Sequence, residues 1–467
     1  MTTRRIRFIE ARLYNPRRLS TAARTLARFA TALELADVPA LDTARATQCL
    51  IDTVGVALLG ASFPWARAAR TYAEHYGAAG TSRVIGTSVR ASAPLAALAN
   101  GVAAHSFELD SLRRPGAGVH PGAALVPVAL ALGEELHASG AEVLAAIVAG
   151  CEVMFRIGAA SHHSSETLGF HAPGLTGPFG ATVVAGRLLG LDGERLCHAL
   201  GIAGSLCGGL LAFTKAGNGA MVKRLHLGRA AESGILAARL AESGFEGPDA
   251  ILEGGFGFLD AYCAESDPTL LTGGLGERWE TRTLCIKRYP CHITAHTAVE
   301  SARALREEHR FAPGHIAAIR VRASAKVLSH HASHEAKDVM ALQYSVPYCV
   351  GIALSDDADD PHAFGDRALA NPQLHTLART VVCEPWPDAP SPWASEVHIT
   401  LRDGRALERA NDDFPGTPTR PLSAAELGEK FLRCAGDFTH ATALLQQLQA
   451  IATVPDVVAL PLTSVEG

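Results

Sequence analysis

The chain has 467 residues, 48% hydrophobic and only 19% charged, which suits two or three domains with a large buried core rather than a disordered or fibrous protein. With 42 basic and 47 acidic residues, a net charge of −5 and 6% aromatics, it carries neither the charge footprint nor the stacking platforms of a nucleic-acid binder. Its 10 cysteines form no CxxC pair, which argues against a zinc ribbon or a thioredoxin-type site and for reduced thiols in a cytoplasmic enzyme.

Residues 1–20 read as a polar arm, basic but without the long apolar core of a signal peptide. Apolar residues at three- and four-residue spacing predict helices over 20–35, from Pro39 to about 61, and over 65–76. Asp52, inside the apolar part of the second, reads as a satisfied structural acid. A short extended piece near 82–90 leads to a helix ending near His105. Helices over 123–140 and 141–161 follow, the second rich in Ala and Gly, and small residues at helical spacing let helices pack closely. Gly and Pro break the pattern at 169–180, after which helices run to about 265 with weak strand signals. No apolar run reaches membrane-spanning length without Gly or charge, so no membrane partner is expected. Near 281 the texture changes. HIAAIRVRAS alternates as a half-buried strand does, 336–356 reads as one helix, and EVHITLRDGRALERAND reads as a hairpin turning at Asp403-Gly404. The reading is mainly α: a large all-helical domain over 1–280, with 408–467 packing back on it, and a smaller inserted α+β lid domain over 281–407.

Four clusters could carry chemistry. The first is the stretch 101–128, where His105, Glu108, Asp110, Arg113, Arg114 and His120 are packed between two apolar helices. A solvated surface loop is the plainer reading, but few loops combine two His, two acids and two Arg and then re-enter an apolar helix at HPG. The second is Gly169-Phe170-His171, followed by Gly177-Pro178-Phe179-Gly180, which leaves His171 at a helix entrance. The third is Lys223-Arg224-Leu225-His226 behind the Gly217-Asn218-Gly219 run, which is only superficially a phosphate loop. The fourth is Lys287-Arg288-Tyr289-Pro290-Cys291-His292, with His296 one turn on. His292 and His296 have zinc-ligand spacing, but HExxH and an evident third ligand are both missing, so no metal is expected. Taken together, the cations and histidines suit an anionic substrate. Removing a proton beside a carboxylate needs a base and positive charge to hold the enolate-like transition state.

The blocks AALANGVAAHSFELD…HPGAALVPVALALGEE, GFHAPGLTGPFGATVVAGRLLGL, MVKRLHLGRAAESG and KRYPCHITAH resemble, in this order, the signature blocks of the MmgE/PrpD family. The resemblance covers roughly 20–460. That family contains 2-methylcitrate dehydratase, cis-aconitate decarboxylase and iminodisuccinate epimerase. It implies a homodimer with an interdomain active site and no metal or organic cofactor. His120 matches the catalytic His of the HPG motif, His171 the His of the GFHxxG block, and Lys223 the Lys before LH. Lys287 and His292 match the Lys and His of the KRYPxH block, and Tyr348 a Tyr or similar residue on the lid helix. The loop before His120 departs from the D-F-D-D-T of the decarboxylase and methylcitrate members. Glu108 stands for the first Asp, Ser111 for another and Leu112 for the Thr, nearer to members reading ELDDGHR.

The expected function is a cofactor-free lyase, a dehydratase or decarboxylase of a small di- or tricarboxylate. The expected catalytic residues are Asp110, His120, Lys223, His171 and Lys287, with His292, Glu108, Arg113, Tyr348 and His226 binding the substrate. An epimerase or isomerase of a small dicarboxylate on the same fold is the alternative, and a non-catalytic binding protein the remaining one.

Overall fold

The computed structural model describes residues 20–77, 80–116, 118–215 and 220–463. The arm before Ser20 and the Gly217-Asn218-Gly219 run lie outside the described residues. Apolar three-and-four spacing becomes helix at Ala40–Gly60, Ala93–Ala104, Pro121–Leu136, Gly140–Ala160, Ala172–Leu188 and Val222–Glu242. The chain is mainly α. These helices pack closely where side chains vanish. A Cβ on Gly228 would stand 2.4 Å from the Leu98 carbonyl oxygen, and one on Gly101 2.8 Å from Gly228 Cα. The helices starting at Ala93 and Val222 therefore meet backbone to backbone, which fixes where Lys223 sits. Gly140–Ala160 is long and apolar enough to cross a bilayer, but 89% of its most apolar window is buried among the other helices.

One hydrophobic core gathers residues from Ala23 to Ile286 and again from Leu422 to Leu462. A second gathers Tyr289 to Leu407, joined by Val56, Leu59, Phe107, Leu109 and Cys434. In the second body a four-stranded sheet has the order Val381–Pro385, Ile316–Ala323, Ser395–Leu401, Ala406–Asn411. The first pair is parallel and the rest antiparallel. The expected alternation holds: Ile319, Val321, Val397 and Ile399 are buried on one face, and the sheet packs against the helices His296–His309 and Val346–Ser355. Asp403 and Gly404 close the predicted hairpin, with Gly404 at φ 92.

The single helix expected over 336–356 is instead two, Val339–Tyr344 and Val346–Ser355. The break falls at Ser345, whose hydroxyl accepts the Tyr348 amide hydrogen and caps the second helix, which has Pro347 in its first turn. Apolar periodicity does not register a cap in mid-run, and this one turns Gln343 and Tyr344 toward the loop that begins at His105.

Candidate active site

The loop from His105 to His120 lies on the seam between the two cores. Phe107 and Leu109 insert into the second core, while Ala104 and Val119 belong to the first. Four consecutive carbonyls are held by side chains from four distant parts of the chain. Arg224 Nε donates to Ser106 (3.5 Å), Gln343 Nε2 to Phe107 (3.0 Å), Lys287 Nζ to Glu108 (2.9 Å) and Lys430 Nζ to Leu109 (3.1 Å). Glu108 itself adopts φ 55. That left-handed conformation costs a non-glycine residue about 1–3 kcal/mol and persists only where its surroundings fix it.

Asp110 is buried, and its Oδ2 accepts hydrogen bonds from two imidazoles, His105 Nδ1 at 2.9 Å and His120 Nδ1 at 2.8 Å. An ionised carboxylate can only accept, so both rings present Nδ1–H to Asp110 and aim Nε2 elsewhere. Burial opposes the Asp110 charge, but the two imidazoles outweigh it and hold the carboxyl well below the usual carboxylate range. His105 is driven down to about 3 by burial, against the pull of Asp110, and is therefore neutral. The side chains of His105 and Asp110 are 1% exposed and that of His120 is 11% exposed, so His120 is the member of the trio that can meet a substrate. His120 immediately precedes the helix Pro121–Leu136, and Pro at its first position presets the entry.

His171 precedes the helix Ala172–Leu188 in the same way. Its ring lies 6.2 Å from that of His105, and its Nδ1 is 2.8 Å from His226 Nδ1. Burial, then His105 and His226, hold His171 well below 6.5. His226 is lowered by burial and by Lys223. Lys223 opens the helix Val222–Glu242, so three helix N-termini present His120, His171 and Lys223 to neighbouring positions, each end carrying partial positive charge.

Lys223 and Lys287 are both buried, and both reach the Glu108 carboxylate. Lys223 pairs with Oε1 and Lys287 with Oε2 at 3.3 Å, while the Tyr344 hydroxyl donates to Oε1 at 3.3 Å. Burial, then Arg224 and Lys287, push the Lys223 ammonium well below its usual range, and burial lowers Lys287. Arg224 stacks over the Trp65 ring at 4.6 Å. His292 approaches through Tyr344, with ring centroids 4.8 Å apart, and stacks on His331 at 4.2 Å.

Eight of the ten expected site residues thus gather around this loop: Glu108, Asp110, His120, His171, Lys223, His226, Lys287 and His292. Arg113 and Tyr348 do not join them. Arg113 pairs its backbone with Leu284 and its guanidinium with Glu280 (3.0 Å). Tyr348 is buried in the second core with its hydroxyl 2.6 Å from His375 Nδ1. Glu108, an expected substrate-binding residue, pairs with both lysines. Missing from the expected set are His105, Tyr344 and Gln343. His105 had a visible signal, a His five residues before an Asp on a loop, whereas the other two depend on the helix break at Ser345. Three buried polar atoms near the loop have no partner: His105 Nε2, Asp110 Oδ1 and Gln343 Oε1. Such atoms are rare in folded proteins and mark places where a ligand can complete the bonding.

Among the described residues, the His and acid atoms close enough to hold a cation are those of His105, Asp110 and His120, within 4.8 Å of one another, and not those of His292 and His296. There one carboxylate oxygen, Oδ2, already receives both Nδ1–H groups, so the trio reads as a carboxylate orienting two imidazoles. His296 contacts the His292 carbonyl and Cys291 instead.

A helical body, an inserted sheet-containing body, a buried Asp110 shared by two imidazoles and two buried lysines on Glu108 are the features to set beside known proteins. Residues 24–271 match the MmgE/PrpD N-terminal domain and residues 289–454 the MmgE/PrpD C-terminal domain, and the chain belongs to the MmgE/PrpD family. It is 30% identical over 411 residues to the cis-aconitate decarboxylase of Mus musculus, covering 83% of this chain and 81% of that one. The Homo sapiens cis-aconitate decarboxylase is likewise 30% identical over 412 residues, with 83% and 82% covered. That of Aspergillus terreus is 28% identical over 442 residues, with 89% of each covered.

Proposed function

We propose that the chain is a lyase, a decarboxylase or dehydratase of a small di- or tricarboxylate of the cis-aconitate or 2-methylcitrate type, working by acid–base catalysis with its own side chains. The observation that carries this is Asp110 shared by His105 and His120, with His120 the most exposed of the three. In the decarboxylation the bond to the departing carboxylate breaks and its electron pair forms a new double bond. The pair of the original double bond moves to the carbon beside a remaining carboxylate, and that carbon takes one proton. His120 is the proton carrier, its reacting nitrogen chosen by the Nδ1–H bond to Asp110. Lys223, Lys287 and the three helix starts supply positive charge where the enolate-like charge develops. His171, paired with His226, stands beside the trio and binds a carboxylate oxygen or relays the second proton that dehydration requires.

Incubation of the pure protein with cis-aconitate and 2-methylcitrate, following alkene absorbance, CO2 and deuterium exchange at the substrate C–H, tests the reading. Turnover that His120→Ala abolishes is the expected result. Exchange without CO2 or water loss would make the chain an epimerase instead. The absence of both turnover and exchange would overturn the proposal.

A further inference from the structure

We infer that His331 is a positioning residue of this site, a clamp across the helix break at Ser345 that holds Tyr344 and His292 in place at the edge of the Glu108 cluster. The inference rests on the lyase reading above in taking Tyr344 and His292 as part of the substrate site. His331 is 4% exposed and follows the short helix Ala325–His330. Its ring Nδ1 lies 3.0 Å from the Tyr344 carbonyl oxygen, and its own carbonyl accepts the Val346 amide hydrogen at 2.8 Å. One residue therefore grips both sides of Ser345. Its amide nitrogen donates to the Val327 carbonyl at 2.8 Å, so the clamp is itself anchored. The segment after it adds to the grip, since the Ser333 carbonyl accepts the Ser345 hydroxyl at 2.5 Å.

The ring does two things at once. A carbonyl oxygen can only accept, so the contact with Tyr344 puts the His331 ring proton on Nδ1. The face of the same ring lies on His292, with centroids 4.2 Å apart and planes at 24°. At the edge of His292, Nδ1 accepts the Thr294 amide hydrogen at 3.4 Å and is 2.8 Å from the Thr294 hydroxyl oxygen, so the His292 proton sits on Nε2. His292 is thus fixed at one edge by Thr294 and on one face by His331, in the form whose Nε2–H can donate to a carboxylate. Tyr344 touches the His292 ring at 4.8 Å, donates its hydroxyl to Glu108 Oε1 at 3.3 Å and has Lys223 Nζ 5.4 Å from its ring centre. Loss of the His331 donor would release the Tyr344 backbone and disturb all three contacts together. Small misplacements of this kind weaken a site without removing any group that reacts.

Two variants separate the donor from the ring. His331→Phe keeps a ring against His292 without the N–H, and His331→Asn can place an amide N–H where Nδ1–H stood. Steady-state kinetics are measured with whichever of cis-aconitate and 2-methylcitrate is turned over, and circular dichroism establishes folding. His331→Phe is expected to raise KM at least about fivefold with kcat within about threefold, because His120 opens a helix of the other body. His331→Asn is expected to bring KM back to within about twofold of wild type. A smaller KM rise in folded His331→Phe, a fall in kcat larger than the rise in KM, or no recovery by His331→Asn would overturn the inference. So would failure of both variants to fold, which would make the residue structural. A second readout needs no turnover. In 15N-histidine NMR of the wild type, with the signals assigned by their loss in His331→Asn and His292→Asn, His331 is expected to carry its proton on Nδ1 and His292 on Nε2. The reverse at either residue would overturn the inference. The expected tautomers without turnover of either compound would sustain the clamp and overturn the lyase reading.

Discussion

Asp110→Asn isolates the contribution of one charge. The side chain is 1% exposed, and its Oδ2 receives Nδ1–H from His105 and from His120. Hydrogen bonds to a charged acceptor contribute about 1.5–3 kcal/mol each, roughly twice what a neutral acceptor gives. Asn can keep the same shape and still accept at one oxygen, so the change halves two such bonds, a loss of about 1.5–3 kcal/mol. Part of that loss is offset in stability, because a buried carboxylate no longer has to be desolvated. It is not offset in catalysis, where the charge fixes the His120 tautomer. The expected result is a fall in kcat of about 10- to 150-fold, with KM changed less than threefold and the circular dichroism spectrum unchanged. Steady-state CO2 release or alkene absorbance reads it. A folded Asp110→Asn enzyme with kcat within threefold of wild type would refute the role assigned to the trio.

Three further outcomes follow from buried groups and close packing. His105 is held at about 3 against an ordinary 6.5, so below pH 6.5 the unfolded chain takes up a proton that the folded chain refuses. Stability is full above that pH and declines on acidification, by about 3 kcal/mol between pH 7 and pH 4.5. The depressed Asp110 adds a loss of the same sign at lower pH, below the ordinary carboxylate range, and a flat denaturation profile from pH 7 to 4.5 would contradict the His105 contribution. Lys430→Ala leaves Asp52 buried without its cation and frees the Leu109 carbonyl, which should cost about 3–5 kcal/mol in urea denaturation. The double variant Asp52→Asn/Lys430→Met should recover part of that, and a single-variant loss below about 1 kcal/mol would refute the pairing argument. Gly228→Ala drives a methyl group to within 2.4 Å of the Leu98 carbonyl oxygen. Overpacking of this kind costs about 1–3 kcal/mol, so the melting temperature should drop and kcat should fall with it as Lys223 moves. Unchanged melting would mean the two helices can separate freely.

Much of this molecule is legible in its sequence because local physics and tertiary structure agree. The HPG run is a helix entrance with Pro at the first position, the alternating HIAAIRVRAS is a strand of the sheet, and Asp403-Gly404 is a hairpin turn. Asp52 sits in the apolar setting the sequence suggests with Oδ1 paired to Lys430, though its buried Oδ2 has no partner. What is not legible depends on contacts between distant segments. Nothing near Arg113 announces Glu280, and nothing near Tyr348 announces His375, so both look as available for substrate as Lys287 does. His105 is visible as a residue but not as a partner, since its role appears only when the loop folds Asp110 back between two rings. Glu108 is the clearest case. Its departure from the family motif is plain in sequence, but that it pairs with both lysines emerges only from the fold.

The four carbonyls from Ser106 to Leu109 are grasped by side chains numbered 224, 343, 287 and 430. In order of synthesis, the last of these leaves the ribosome more than 300 residues after the loop it holds. The first core likewise takes its final members from Leu422 to Leu462. A nascent chain can therefore complete its second body while the first still lacks a wall and the loop is unclasped. Catalytic competence should then be among the last properties acquired during folding and among the first lost on partial unfolding. In a denaturant titration, activity should disappear before helicity does.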